Sequence, residues 1–168
     1  MKILGIDPGT ATTGWAVVEQ ICKNPQLVAC GCVNTSKFKS DAERLVEIGK
    51  DISSLIKKYR PDEAGIEDIF FFSNQKTAVT VSQARGVVLY ELKKNKIPVQ
   101  NYTPLQVKQA LTGYGRADKK QIQLMVKNIL RLKSIPKPDD AADAAAIAIC
   151  HLNSRLFIRA KSLERAEI

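Results

Sequence analysis

The sequence predicts an α/β domain with a mixed five-stranded sheet, an antiparallel meander continued by parallel strands, flanked by helices. Three observations carry this. Residues 1–35 alternate short apolar runs with turn signals, as strands joined by tight turns do. From residue 41 the apolar spacing takes a helical period, and helices then alternate with two short strand-like runs. At 168 residues with 45% hydrophobic content, the chain suits one domain with a sizeable core, spanning 1–168 with fraying expected after about residue 158.

Ile3-Leu4-Gly5-Ile6-Asp7 reads as a buried strand ending on a carboxylate, and Pro8-Gly9 turns the chain away. A lone charge is costly inside a strand but tolerable at its tip, where the turn opens to solvent or a ligand. The plainer alternative is that Asp7 caps its own turn. Thr13 to Val18 and Leu27 to Thr35 read as the next strands, with Lys23-Asn24-Pro25 as hairpin signal. Leu45, Ile48, Ile52, Leu55, Ile56 and Tyr59 share one face of a helix over 41–60, started by Ser40 or Asp41 and stopped by Pro61. Ala64 to Glu67 is a strand that also ends on a carboxylate. Reached through a helix, it is expected to lie parallel to a neighbour. Beside the first strand it brings Glu67 to the edge that holds Asp7, where α/β sheets form ligand sites. Asp68 alternates to the other side.

Phe70-Phe71-Phe72 precedes a helix over about 74–94, in which Gly86 suggests close packing, since glycine costs about 1 kcal/mol there. Val99 to Tyr102 is the last strand. Thr103-Pro104 starts a helix that Gly113 ends. The loop 113–117 matches neither nucleotide fingerprint. Asp118 caps a helix with Ile122, Met125, Val126, Ile129 and Leu130 as its core stripe, and a two-proline loop, 134–138, follows. The final helix opens Asp139-Asp140-Ala141-Ala142-Asp143 and continues in alanine and isoleucine, which implies burial. Asp140 and Asp143, three apart, share a face. Acids in a first turn suit the helix dipole, yet two on the inward side of a buried helix need a partner. No lysine or arginine supplies one by spacing, whereas a divalent cation would.

Composition narrows the function. The net charge is +9, and Lys93 to Lys137 holds eleven basic residues against one acid, Asp118, more than the whole surplus. A solvated lysine-rich surface is the plainer alternative, but such a concentrated block more often marks a polyanion partner, nucleic acid first. No run of about 18 apolar residues exists, so no transmembrane helix is expected, and the N-terminus enters a strand pattern at once, unlike a signal peptide. Cys22, Cys30, Cys32 and Cys150 show no zinc spacing and read as reduced thiols in a cytoplasmic protein, Cys30 and Cys32 on one side of a strand.

Four carboxylates thus come from three separated elements: Asp7, Glu67, Asp140 and Asp143. Without metal they would repel, and some would hold protons at neutral pH. Hard oxygen donors suit Mg²⁺ or Mn²⁺ over zinc. Clusters of this kind hold two ions about 3.5–4 Å apart and hydrolyse phosphodiesters. With the basic block, they point to a nuclease.

Gly5-Ile6-Asp7-Pro8-Gly9, Ile66-Glu67, Gln83-Ala84-Arg85-Gly86, Gln106-Val107-Lys108-Gln109 and Asp140-Ala141-Ala142-Asp143-Ala144 resemble, in order, the motifs of the RuvC family of Holliday-junction resolvases. The resemblance implies a ribonuclease H-like fold, a homodimer, Mg²⁺ dependence, paired nicking of four-way DNA junctions and a branch-migration motor as partner. By position, the four acids resemble the family's catalytic residues. Lys108 and Lys119 resemble its basic residues near the active site, with Arg116 and Lys120 as further DNA-contact candidates. Phe70 resembles the aromatic placed at the junction centre. Phe71 and Phe72 lengthen the aromatic run, Lys120 adds a charge and Asp139 an acid, so which phenylalanine and which lysine act stays open. His151 reads as an ordinary helix residue and Trp15 as packing on the early sheet.

Three rivals remain at this level. A sugar kinase or actin-like protein starts similarly but needs two such domains. A ribonuclease H-like nuclease of other specificity would share the acids. A non-catalytic DNA-binding module would not need four converging carboxylates, which repel phosphate.

Overall fold

The computed structural model describes residues 1–22, 24–68 and 75–164. Its elements, in chain order, are β1 (Lys2–Asp7), β2 (Thr12–Ile21), β3 (Asn24–Asn34), α1 (Asp41–Tyr59), β4 (Glu63–Glu67), α2 (Gln75–Lys94), β5 (Val99–Tyr102), α3 (Pro104–Thr112), α4 (Lys119–Ile129) and α5 (Asp139–Glu164). One five-stranded sheet runs β3-β2-β1-β4-β5. β1 to β3 form the antiparallel meander, and β1, β4 and β5 are mutually parallel, as the sequence predicts. β2 and β3 run longer than their apolar cores indicate, because Glu19 to Ile21 pair with Asn24 to Gln26 across the hairpin. Pro25 is tolerated because β3 is an edge strand, whose outer side needs no donor.

Strand alternation sorts the side chains into two layers. Leu4, Ile6, Ala64 and Ile66 face α1 and α2, packing with Ile48, Ile52, Val88 and Leu92. Ile3 faces the layer built from α3, α4 and α5, and the same parity turns Gly5 and Asp7 that way. The capping residues act as read: Ser40, Thr103 and Asp118 each complete a capping box, and Gly113 closes α3 with φ 71°. Gly86 departs from expectation. Among the described residues a Cβ there would meet nothing within 4 Å, so close packing within them does not explain it.

α5 lies against the sheet at the distance of a glycine. A Cβ on Gly5 would fall 2.1 Å from the Ala144 carbonyl oxygen, and one on Gly14 2.1 Å from that of Asp140. The helix is buried from Ala144 to His151, which is why its sequence is almost entirely alanine and isoleucine.

Candidate active site at the carboxyl ends of the parallel strands

Pairing of β1 with β4 sets Gly5 against Gly65 and Ile6 against Ile66. One step further, Asp7 and Glu67 stand side by side on the α5 face. Thr13 closes the turn after Asp7, donating from Oγ1 to the Gly9 carbonyl at 2.6 Å, and Thr10 Oγ1 donates to the Thr80 carbonyl of α2 at 2.7 Å. The Asp7 carboxyl is spared for another partner, Glu67, with which it shares a hydrogen bond. Asp7, Glu67 and Asp143 line one pocket of ≈ 220 Å³ with Lys108, Lys119, Pro104, Val107, Ile122, Ala146 and Ile147. Asp140 stands one turn earlier on α5. Its charge acts on Asp7 and Asp143, and also on the Cys32 thiol, which burial and that charge push up to about 11.

Burial, then the neighbouring acids, raises Asp7 to about 6 against the opposing hydrogen bond from Glu67. Burial, the Asp7 charge and the shared hydrogen bond raise Glu67 to about 8. A bond between two carboxylates needs a proton, and these directions put it on Glu67. Burial also raises Asp143, against the pull of Lys119. Lys119 is itself raised, chiefly by its bond to Asp143.

That bond corrects one expectation. Lys119 Nζ lies 3.1 Å from Asp143 Oδ2, so a lysine does reach the buried helix, from α4 and not from the helix's own sequence spacing. Asp139, the acid before the motif, pairs with Lys137 at 2.9 Å and with Lys119 at 3.7 Å and remains at the rim. Lys120 and Arg116 are exposed and do not line the pocket. Phe70, Phe71 and Phe72 lie outside the described residues.

The basic block divides between the two ends of the sheet. Lys108, Arg116, Lys119, Lys120 and Lys137 belong to segments at the Asp7 end. Lys93, Lys94 and Lys96 precede the amino end of the parallel strand β5, and Arg131 reaches Asn24 at the far hairpin, 3.5 Å away.

Two contributors escaped the sequence reading. Arg85 of α2 donates from Nε to the Glu67 carbonyl at 3.2 Å and from Nη2 to Asn101 at 2.9 Å, and pairs with Asp68 at 3.2 Å. It fastens the end of β4, and its only sequence signal is its place in the Gln83–Gly86 motif. His151 is buried among Tyr102, Glu63 and Arg155, not simply a helix residue.

Among the described residues no three acids, histidines or cysteines stand ready to close on one ion. The arrangement nonetheless fits a hard divalent cation. Its donors are all carboxylate oxygens, and their charge is offset by a shared proton and one ammonium group, places a cation can take.

A family model described as "Crossover junction endodeoxyribonuclease RuvC" matches residues 3–151. A relative from Roseiflexus sp. (strain RS-1), described in the same words, is 54% identical over 158 residues, 94% of each chain. A Thermus thermophilus RuvC structure superimposes with a TM-score of 0.88 at 36% identity, covering 94% of this chain and 96% of that one. T. thermophilus RuvC in complex with a Holliday junction substrate gives 0.85 at 34%, with the same coverage.

Proposed function

The chain belongs to the RuvC family of crossover junction endodeoxyribonucleases, and from that membership we propose a single nuclease domain in which Asp7, Glu67, Asp140 and Asp143 hold two Mg²⁺ ions, replaceable by Mn²⁺. The protein is a divalent-metal-dependent endonuclease that resolves four-way DNA junctions. The observation that carries the residue assignment is the convergence of Asp7, Glu67 and Asp143 with Lys108 and Lys119 on one pocket.

When bound, the two ions would supply Lewis acidity, easing deprotonation of the attacking water and offsetting charge on the leaving 3′-oxygen. The residues do the rest. Asp7 and Glu67 give up their shared proton and present oxygens from two adjacent strand ends. Asp143, here paired with the Lys119 ammonium, would join them in holding a cation, and Lys119, with Lys108, faces the phosphate and steadies its transition-state charge. Arg116 and Lys120, exposed beside Lys119, contact the DNA backbone on the approach to the pocket. Phe70, three residues past Glu67, stacks on an unpaired base at the junction centre, worth about 1–3 kcal/mol. This last role rests on sequence position and family resemblance.

Paired nicks call for two sites, hence a homodimer. The face that supports it is the α1/α2 groove of ≈ 430 Å³ lined by Val46, Val87, Tyr90 and Glu91, with Val46 and Tyr90 more than half exposed. A branch-migration motor partner rests on the resemblance alone. The cytoplasm is the proposed location, and no described helix is long and apolar enough to cross a membrane.

The test is cleavage of a labelled four-way junction and a linear duplex, with and without Mg²⁺, by the wild type and by Asp140→Asn and Asp143→Asn. Paired nicks in the junction alone, dependent on Mg²⁺ and reduced by orders of magnitude in both variants, are expected. Undiminished cleavage by either variant would remove that acid from the site.

A further inference from the structure

His151 is 4% exposed and polar on both sides of its ring. The Glu63 carboxylate, which also takes Arg155 at 3.1 Å, stands 2.8 Å from Nε2 and can only accept, so Nε2 carries the proton. Nδ1 is then left to accept from the Tyr102 hydroxyl at 2.9 Å. Burial lowers the imidazole below its usual range against the pull of Glu63. Burial of Glu63 is outweighed by its bonds from Arg155 and His151, which hold that carboxyl low. The ring is therefore neutral and satisfied at both nitrogens.

The ends of this chain of bonds matter most. Tyr102 pairs in register with Glu67 across β4 and β5, and its carbonyl accepts from the Asp68 amide at 2.8 Å. His151 lies on the same stripe of α5 as Asp143, two turns on. Both rest on Gly65, where a Cβ would be 3.3 Å from His151 Cβ and 3.3 Å from Tyr102 Cε2. Hydrogen bonds thus run from the strand position opposite Glu67 to the helix that carries Asp143. Three apolar side chains would fill this space at comparable stability, since buried polar networks add little net energy. The His151 ring, paired at both nitrogens, instead specifies one arrangement of Tyr102, His151 and Glu63.

We propose that His151 is a positioning residue: bridging Tyr102 and Glu63, it fixes the rotation of α5 that presents Asp140 and Asp143 to Asp7 and Glu67. The proposal rests on the reading of those acids as metal ligands. Groups that orient metal ligands from behind typically contribute 10–100-fold in affinity, and an effect of about 10-fold is expected here.

The test titrates Mn²⁺ into the full chain without DNA, following free ion by electron paramagnetic resonance, for the wild type, Tyr102→Phe, His151→Leu and His151→Gln. Tyr102→Phe and His151→Leu should weaken Mn²⁺ binding about 10-fold and lower the junction kcat similarly, with KM within about 2-fold. His151→Gln, whose amide can still donate to Glu63, should recover part of both. If His151→Leu does not fold, Tyr102→Phe decides, because it removes one hydroxyl and leaves the packing. Wild-type Mn²⁺ affinity in the folded variants would overturn the proposal while leaving the four-acid reading intact. A wild type that binds no Mn²⁺ would overturn that reading and this proposal with it.

Discussion

Near neutral pH, without divalent ions, Asp7 and Glu67 hold one proton between them, and folding pays for keeping two carboxyls in a buried corner. Their folded values, about 6 and about 8, exceed the ordinary 3.8 and 4.5. The folded state therefore binds more protons, and the pair's contribution to stability, full below about pH 4, is lost as pH rises toward 8. Thermal unfolding in EDTA should show the wild type losing stability between pH 6.5 and 8.5, while Asp7→Asn loses clearly less and is the more stable at pH 8.5. Mg²⁺ should reverse that order by binding only the wild-type site well. Equal pH slopes for the two proteins would refute the shared proton. Asp7 and Glu67 were legible as strand-end acids because apolar runs lead directly into them. The bond from Lys119 to Asp143 was not, since it joins residues far apart in sequence through the packing of α4 on α5.

Among elements, α5 is the one that the site can least afford to move. Its sequence announced burial and its acids announced a partner, but its closeness to the sheet follows from Gly5 and Gly14 on other elements. A methyl group on Gly5 meets the backbone of α5, which cannot swing aside as a side chain does. Gly5→Ala should therefore destabilise by about 1–3 kcal/mol or more and reduce cleavage beyond the loss of folded protein, measured by denaturant unfolding alongside junction nicking. Gly86→Ala is the contrasting case. The added Cβ meets nothing among the described residues, so α2 should gain about 1 kcal/mol from helix propensity, raising Tm by roughly 2–4 °C. The glycine had suggested close packing, and only the three-dimensional neighbourhood could show that no described residue crowds it.

For the molecule as a whole, the fold class was legible because every strand and helix carries its own period and punctuation. The distribution of charge was not. A block contiguous in sequence crosses the sheet more than once, so its lysines divide between two ends. Only the Asp7 end is expected to meet DNA. Junction affinity measured against salt should lose about 0.9 from its log–log slope for each phosphate contact removed. Arg116→Ala with Lys120→Ala should lower slope and affinity, whereas Lys93→Ala with Lys94→Ala should leave both unchanged. The reverse result would put the DNA on the far end of the sheet.

The central claim, that acids from β1, β4 and α5 form one metal site that cuts junction DNA, is tested most directly by the Asp7→Asn protein. Its binding to a labelled four-way junction and its cleavage in Mg²⁺ are measured on the same sample. The substitution keeps shape, removes a ligand charge and ends the repulsion beside phosphate. Cleavage should fall by orders of magnitude, each tenfold loss corresponding to about 1.36 kcal/mol, while junction affinity is retained or increased. Cleavage at the wild-type rate, or loss of binding in place of cleavage, would contradict the account.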